Sequence, residues 1–187
     1  MPQSVASTGV CLWLTGLPSA GKTTLAHLVA ERLRARGLRV ELLDGDEVRR
    51  GLSADLGFDR RSREAHAARV AYVAKLLVRH GVVAVVALIS PYRGSRADAR
   101  RQIGRFAEVY VATPLEVCEA RDRKGLYAKA RRGEIREFTG VDDPYEPPES
   151  PEVVLSTVGE TPEASADRLI AELDARGLLP PNRTEPL

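Results

Sequence analysis

Cysteine is almost missing from this 187-residue chain: Cys11 and Cys118 are the only two. Two cysteines so far apart make neither a metal-ligand pair nor a disulfide framework, so free thiols in a reducing compartment are expected. Long apolar runs are missing as well. The longest, Val82 to Ile89, has eight residues, against the roughly 20 that a membrane helix requires. Met1 to Gly9 has neither the basic start nor the apolar stretch of a signal peptide. The expectation is a cytoplasmic chain without a membrane partner. Excess charge is absent too: 28 Lys and Arg against 26 Asp and Glu leave a net charge of +2, less than a protein that coats a nucleic-acid polymer carries. Aromatics make up only 5%, so their positions are informative. What remains is 43% apolar and 29% charged, a globular balance that suits one domain of this length.

Short apolar runs alternate with longer amphipathic stretches. Val10–Thr15, Arg39–Leu43, Val82–Ile89, Phe106–Val111 and Val153–Leu155 read as strands. Thr23–Arg36, Arg61–His80, Arg96–Ile103, a segment opened by Pro114, and Pro162–Arg176 read as helices. The valine-rich third strand has the composition of one buried on both faces. This β-α alternation predicts a mainly parallel five-stranded sheet between helical layers. The predicted boundaries are a flexible N-terminus over 1–9, a single domain over 10–178 and a flexible tail over 179–187. Within the domain, a segment at about 121–150 breaks the rhythm. It carries many charges, prolines at 144, 147, 148 and 151, and three aromatics, which is the make-up of a mobile active-site lid.

Gly16-Leu17-Pro18-Ser19-Ala20-Gly21-Lys22-Thr23 matches G-x-x-x-x-G-K-[ST] between a predicted strand and a predicted helix, the context the motif requires. Glycine lets the backbone aim several N–H groups at one phosphate, and the helix N-terminus adds its positive dipole. Lys22 reaches the β- and γ-phosphates, and the Thr23 hydroxyl holds Mg²⁺. The cofactors expected are therefore ATP and Mg²⁺. The chain is too short for a motor domain and lacks an N-K-x-D guanine-reading motif, which leaves a small-molecule kinase.

Asp44-Gly45-Asp46 follows the second predicted strand. In an open parallel sheet, ligands bind beyond the carboxyl ends of the strands. One carboxylate there would order Mg²⁺, with Asp44 the candidate, and the other would accept a proton from an attacking hydroxyl. Sequence does not order the two as base, and Asp is also an ordinary helix N-cap.

These motifs make the chain resemble the adenylylsulfate kinase (APS kinase) family from about Gly9 to Arg176. The resemblance rests on the phosphate loop, Leu43-Asp44-Gly45-Asp46 with Arg49, Leu56-Gly57-Phe58, Ile89-Ser90-Pro91-Tyr92-Arg93 and Thr113-Pro114-Leu115. It continues through Cys118-Glu119-Ala120-Arg121-Asp122, Lys124-Gly125-Leu126-Tyr127, Phe138-Thr139-Gly140-Val141-Asp142, Tyr145-Glu146 and Pro148-Glu149. It implies a three-layer α/β/α P-loop kinase that moves the γ-phosphoryl of ATP to the 3′-hydroxyl of adenosine 5′-phosphosulfate (APS). Ser19, Ala20, Gly21, Lys22, Thr23 and Thr24 would cradle the ATP phosphates, joined by Arg121 and Arg131. Asp46, Arg49, Arg63, Ile89, Ser90, Lys124 and Leu126 would line the acceptor site. Phe58 and Phe138 would sandwich its adenine, a role suited to phenylalanines outside the predicted core. Val158-Gly159-Glu160-Thr161 would meet the ATP base. The resemblance also implies a homodimer, with the small nucleotide as the partner that the lid cations clamp.

The chain departs from the family where it usually reads D-R-x-E-N-x-R-R. Here the stretch is Ser62-Arg63-Glu64-Ala65-His66-Ala67-Ala68-Arg69, so Arg63 is kept and His66 replaces an asparagine that contacts the substrate nucleotide. A histidine offers a hydrogen bond of different geometry and a charge of its own. Two other readings stay open: a paralogue acting on another hydroxyl, and a non-catalytic nucleotide-binding module.

Overall fold

The computed structural model describes residues 9–181. Most of the expected N-terminal stretch, 1–8, and the end of the expected tail, 182–187, lie outside the described residues. Five strands, β1 (Val10–Thr15), β2 (Val40–Asp44), β3 (Val83–Ala87), β4 (Phe106–Val111) and β5 (Val153–Leu155), pair in the order β2-β3-β1-β4-β5. Every pairing is parallel, so the sheet is wholly rather than mainly parallel. β1 and β3 are buried along their full length. With helices on both faces, their residues alternate between two separate cores. Leu12 and Leu14 pack on one side with α1 (Lys22–Ala35) and α7 (Pro162–Ala175). Cys11 and Trp13 pack on the other with α3 (Arg60–Arg79) and α4 (Arg93–Ile103).

Three helices complete the fold: α2 (Gly45–Leu52), α5 (Leu115–Arg121) and α6 (Leu126–Arg131). The sequence reading shows neither α2 nor α6. α2 fully buries no residue and offers only Val48 and Leu52 as an apolar pair, too short a pattern to detect, and its eight residues are held by a cap. α6 is preceded by its N-cap Gly125, whose φ of 64° is left-handed, and the Asp122 carboxylate accepts the N–H groups of Tyr127 and Ala128. The lid thus contains one short helix. Its C-terminal part is fastened rather than loose: Tyr92 donates to Asp143, the buried Arg96 donates to the Glu146 carbonyl, and Tyr145 bonds Thr15. Two expected boundaries also shift. A Cβ at Gly9 would lie 2.2 Å from the Val82 carbonyl oxygen, so Gly9 is packed against the body of the domain. Leu179, expected in the tail, is buried in the α1/α7 core.

β1 lies mid-sheet, with β3 on one side and β4 on the other. The chain changes direction there, and the crevice above its carboxyl end is where such sheets hold ligands. Among the described residues, no helix is long and apolar enough to cross a membrane.

Candidate active site

The loop after β1 has the geometry of an anion cradle. Gly16 is at φ 154°, Ser19 at φ 61° and Gly21 at φ 101°. Gly21 is the N-cap of α1 and has no side-chain partner at that end, so the backbone N–H groups of the first turn are left to a ligand. Room for a Cβ is missing where the loop is tightest. At Gly16 it would lie 2.5 Å from the Val111 carbonyl oxygen, and at Gly21 3.3 Å from the Thr157 methyl.

Lys22 is buried, and its Nζ donates to the Gly16 and Leu17 carbonyls at 3.0 and 2.7 Å. Burial pulls its pKa down to about 8, against the favourable charges of Asp44 and Asp46 nearby. A buried cation matched only by carbonyls is electrostatically incomplete, and phosphate oxygens complete it.

Thr23 donates to Asp44 Oδ2 at 2.7 Å. Asp44 Oδ1 accepts from Asp46 N at 3.0 Å and caps α2. The metal-ligand and N-cap readings of Asp44 therefore hold together. A hydroxyl and a carboxylate side by side at the loop's edge suit a hard cation that takes its other ligands from phosphates and water. No cluster of three or more His, Cys, Asp or Glu that could hold a metal occurs among the described residues. Thr24, exposed in the first turn of α1, offers its backbone there.

Opposite the loop, α2 and the lid face each other through Asp46 and Lys124, which form an ion pair between two exposed side chains. Arg49 donates to the Leu56 and Gly57 carbonyls and stacks over the Phe58 ring at 4.5 Å. Arg63 donates to Phe58 O at 2.5 Å and to Glu137 O at 2.7 Å. It ties together the backbones that carry the two expected adenine-binding aromatics. Leu126 opens α6 and packs against the α1/α7 core.

Several expected contacts are placed differently. Phe58 is 61% exposed, as expected, but Phe138 is not outside the core. It is 7% exposed and packs edge-on to Tyr127, with ring centroids 5.0 Å apart. Ser90, expected to line the acceptor site beside the half-buried Ile89, turns its hydroxyl inward. There it accepts from Trp13 Nε1 and donates to Thr15, with its backbone at φ 38°. Arg131 pairs with Glu119 rather than standing free for phosphate. Arg121 donates to the hydroxyl and carbonyl of Thr157.

His66 is 5% exposed, and its Nδ1 lies 2.9 Å from the Ser53 hydroxyl. Its Nε2 is buried without a partner. Burial, with Arg49 and Arg69 nearby, pushes its pKa down to about 4, so it is a neutral ring at physiological pH, not a charge. Sequence reasoning also missed Thr113 and Thr157, both hydrogen-bonded to Ala20 of the phosphate loop. Thr113 opens the Thr113-Pro114-Leu115 motif, the one sequence signal for either residue; Thr157 lies in no motif.

Residues 8–156 match the family model described as adenylylsulphate kinase. The adenylyl-sulfate kinase of Synechococcus sp. (strain JA-3-3Ab) is 55% identical over 171 residues, which cover 91% of this chain and 97% of that protein. The APS kinase of Mycobacterium tuberculosis, solved in complex with AMPPNP and APS, superposes with a TM-score of 0.86. It is 42% identical, over 89% of this chain and 98% of that one. A hexameric APS kinase from Thiobacillus denitrificans gives a TM-score of 0.72 at 32% identity, covering 94% of this chain and 31% of that one.

Proposed function

The chain belongs to the adenylylsulphate kinase family, and from that premise we propose how its residues carry out the family's reaction. The enzyme transfers the γ-phosphoryl of ATP to the 3′-hydroxyl of APS, giving 3′-phosphoadenylylsulfate and ADP. One observation carries the assignment of roles: the two carboxylates of Asp44-Gly45-Asp46 have different partners. Both oxygens of Asp44 are engaged, one by Thr23 and one by Asp46 N. Asp46 is held from across the cleft by Lys124.

Asp44 therefore belongs to the phosphate side and Asp46 to the acceptor side. Asp46 is the base that takes the 3′-hydroxyl proton as that oxygen attacks the γ-phosphorus and the bond to ADP breaks. An incoming acceptor draws Lys124 toward its own anionic groups and frees the Asp46 carboxylate. Lys22 supplies a desolvated positive charge to the β- and γ-oxygens, where low dielectric strengthens it. Thr23 and Asp44 would hold Mg²⁺, which neutralises charge on the same oxygens when bound. Arg49 and Phe58 form the exposed wall against which the acceptor's adenine stacks. Arg63 holds that wall to the lid, so closing over the acceptor also excludes water from the transfer.

Purified protein with Mg-ATP and APS should yield 3′-phosphoadenylylsulfate and ADP in equal amounts. No turnover of APS would overturn the reading. The neutral His66–Ser53 pair stands where the family has asparagine, and it favours one second reading, a kinase for another nucleotide hydroxyl. Turnover of a different 3′-hydroxyl nucleotide in preference to APS would select it. We further propose that the protein is a cytoplasmic homodimer, on the strength of the family resemblance. The hexameric relative makes light scattering of the purified chain the deciding measurement for assembly.

A further inference from the structure

The phosphate loop is held from behind by residues that belong to neither the loop nor its helix. The Ala20 carbonyl lies 3.0 Å from the Thr113 hydroxyl and 3.0 Å from the Thr157 hydroxyl, and the two hydroxyls are 2.8 Å apart. These three oxygens form a closed triangle containing two hydroxyl protons. Both hydroxyls are placed to donate to the carbonyl, and either can donate to the other. Thr113 follows β4 and Thr157 follows β5, so the triangle joins the loop to the ends of two further strands.

The bond geometry gives this triangle a consequence for the ligand. No peptide bond among the described residues is cis, and in a planar trans peptide the C=O and the following N–H point in opposite directions. Fastening the Ala20 carbonyl against the sheet therefore aims the Gly21 N–H toward the concave, phosphate side. Thr157 also packs directly against this peptide: a Cβ at Gly21, whose φ is 101°, would lie 3.3 and 3.5 Å from the Thr157 methyl and hydroxyl.

Arg121 completes the arrangement. Its Nη1 donates to the Thr157 hydroxyl at 2.7 Å and its Nη2 to the Thr157 carbonyl at 2.8 Å. A hydroxyl that accepts from a guanidinium is a stronger donor in turn. The arginine ends α5, where the lid begins.

We propose that Thr157 is a positioning residue for phosphate binding, fixing the Ala20–Gly21 peptide plane so that ATP affinity depends on its hydroxyl and, through it, on Arg121. This deepens the proposed function by naming what organises its ATP site. Its test uses binding of Mg-AMPPNP, which needs no acceptor, so a failure of APS turnover and a failure of this inference are separable.

Calorimetric titration of Thr157→Val, which keeps the shape and removes the hydroxyl, should show about tenfold weaker binding of Mg-AMPPNP. Thr157→Ser should restore binding to within about twofold, with melting temperatures of both variants within a few degrees of the parent protein. In the kinase assay KM for ATP rises and KM for APS does not. Arg121→Met should cost less in the Thr157→Val background than alone, since the two act in series. Unchanged binding by Thr157→Val overturns the proposal. Equal weakening in Thr157→Ser also overturns it, by placing the effect in methyl packing. Additive losses in the double variant overturn the link to Arg121.

Discussion

The Thr23 hydroxyl and Asp44 Oδ2 are 2.7 Å apart, which brings the first turn of α1 and the end of β2 together at the edge of the phosphate loop. Asp44 also caps α2, so its charge and its hydrogen-bonding capacity can be separated by substitution. Asp44→Asn keeps an acceptor for Asp46 N and loses the charge. Its kcat/KM for ATP should fall by roughly a hundredfold, as electrostatic groups at a transferring phosphoryl do, with little change in stability. Asp44→Ala should lose the same activity and about 1 kcal/mol of stability through the missing cap. Kinetics over a range of Mg²⁺ concentrations and urea denaturation measure the two effects.

Lys22 sets a pH limit on nucleotide binding. Its pKa in the free protein is pulled down to about 8 by burial, and bound phosphates raise it by supplying opposite charge. Below pH 8 the ammonium is already present. Above it, binding must take up a proton, and affinity for Mg-AMPPNP should fall by up to tenfold per pH unit. Calorimetry in buffers of different ionisation enthalpy should detect that proton above pH 8 and not at pH 7. Affinity that stays flat to pH 10 would contradict the assignment.

His66 should make the protein acid-sensitive. Its pKa is about 4 when folded, against an ordinary 6.5, so between those values the unfolded chain binds more protons. The stability this group contributes is complete above pH 6.5 and is lost as pH falls toward 4, a change of roughly 2–3 kcal/mol. His66→Asn should flatten that part of the stability–pH curve. It should also shift KM for the acceptor while leaving Mg-AMPPNP binding within about twofold of the parent. An unchanged acid slope would show that the ring is not held neutral by burial.

Phe58 and Phe138 should separate cleanly by experiment. Phe58 is 61% exposed, with Arg49 as its ring partner. Phe58→Ala should leave stability within about 0.5 kcal/mol and weaken acceptor binding by about 1–2 kcal/mol through lost stacking. Phe138 is buried against Tyr127, and Phe138→Ala should cost about 3 kcal/mol of stability. Matching effects from the two substitutions would contradict the difference in burial.

Periodicity and motif were enough for much of the molecule. β1, β4 and β5 end at the residues their apolar runs predict, even though β4 buries Glu108 against Arg96 and β5 exposes Val154. The phosphate loop was equally legible, since its glycines and Lys22 are local requirements of one short turn. α2 was not legible, because its eight residues carry only two apolar side chains, Val48 and Leu52, too few to establish a period. Phe138 was misplaced for the opposite reason: a charged, proline-rich segment conceals one residue that reaches the core from an irregular backbone.

The sequence by itself determined the parallel α/β class, the nucleotide loop and the acidic pair, each of which depends on neighbours in the chain. Only the tertiary structure decided which partners those groups have. Asp44 and Asp46 are two residues apart, yet their carboxylates face different partners, Thr23 on α1 and Lys124 in the lid. Thr157 reaches the loop across 137 positions of sequence. Hydrogen-bond direction, burial and pKa follow from distances set by the packing of β-strand ends, and that packing leaves no periodic trace in the residues it brings together.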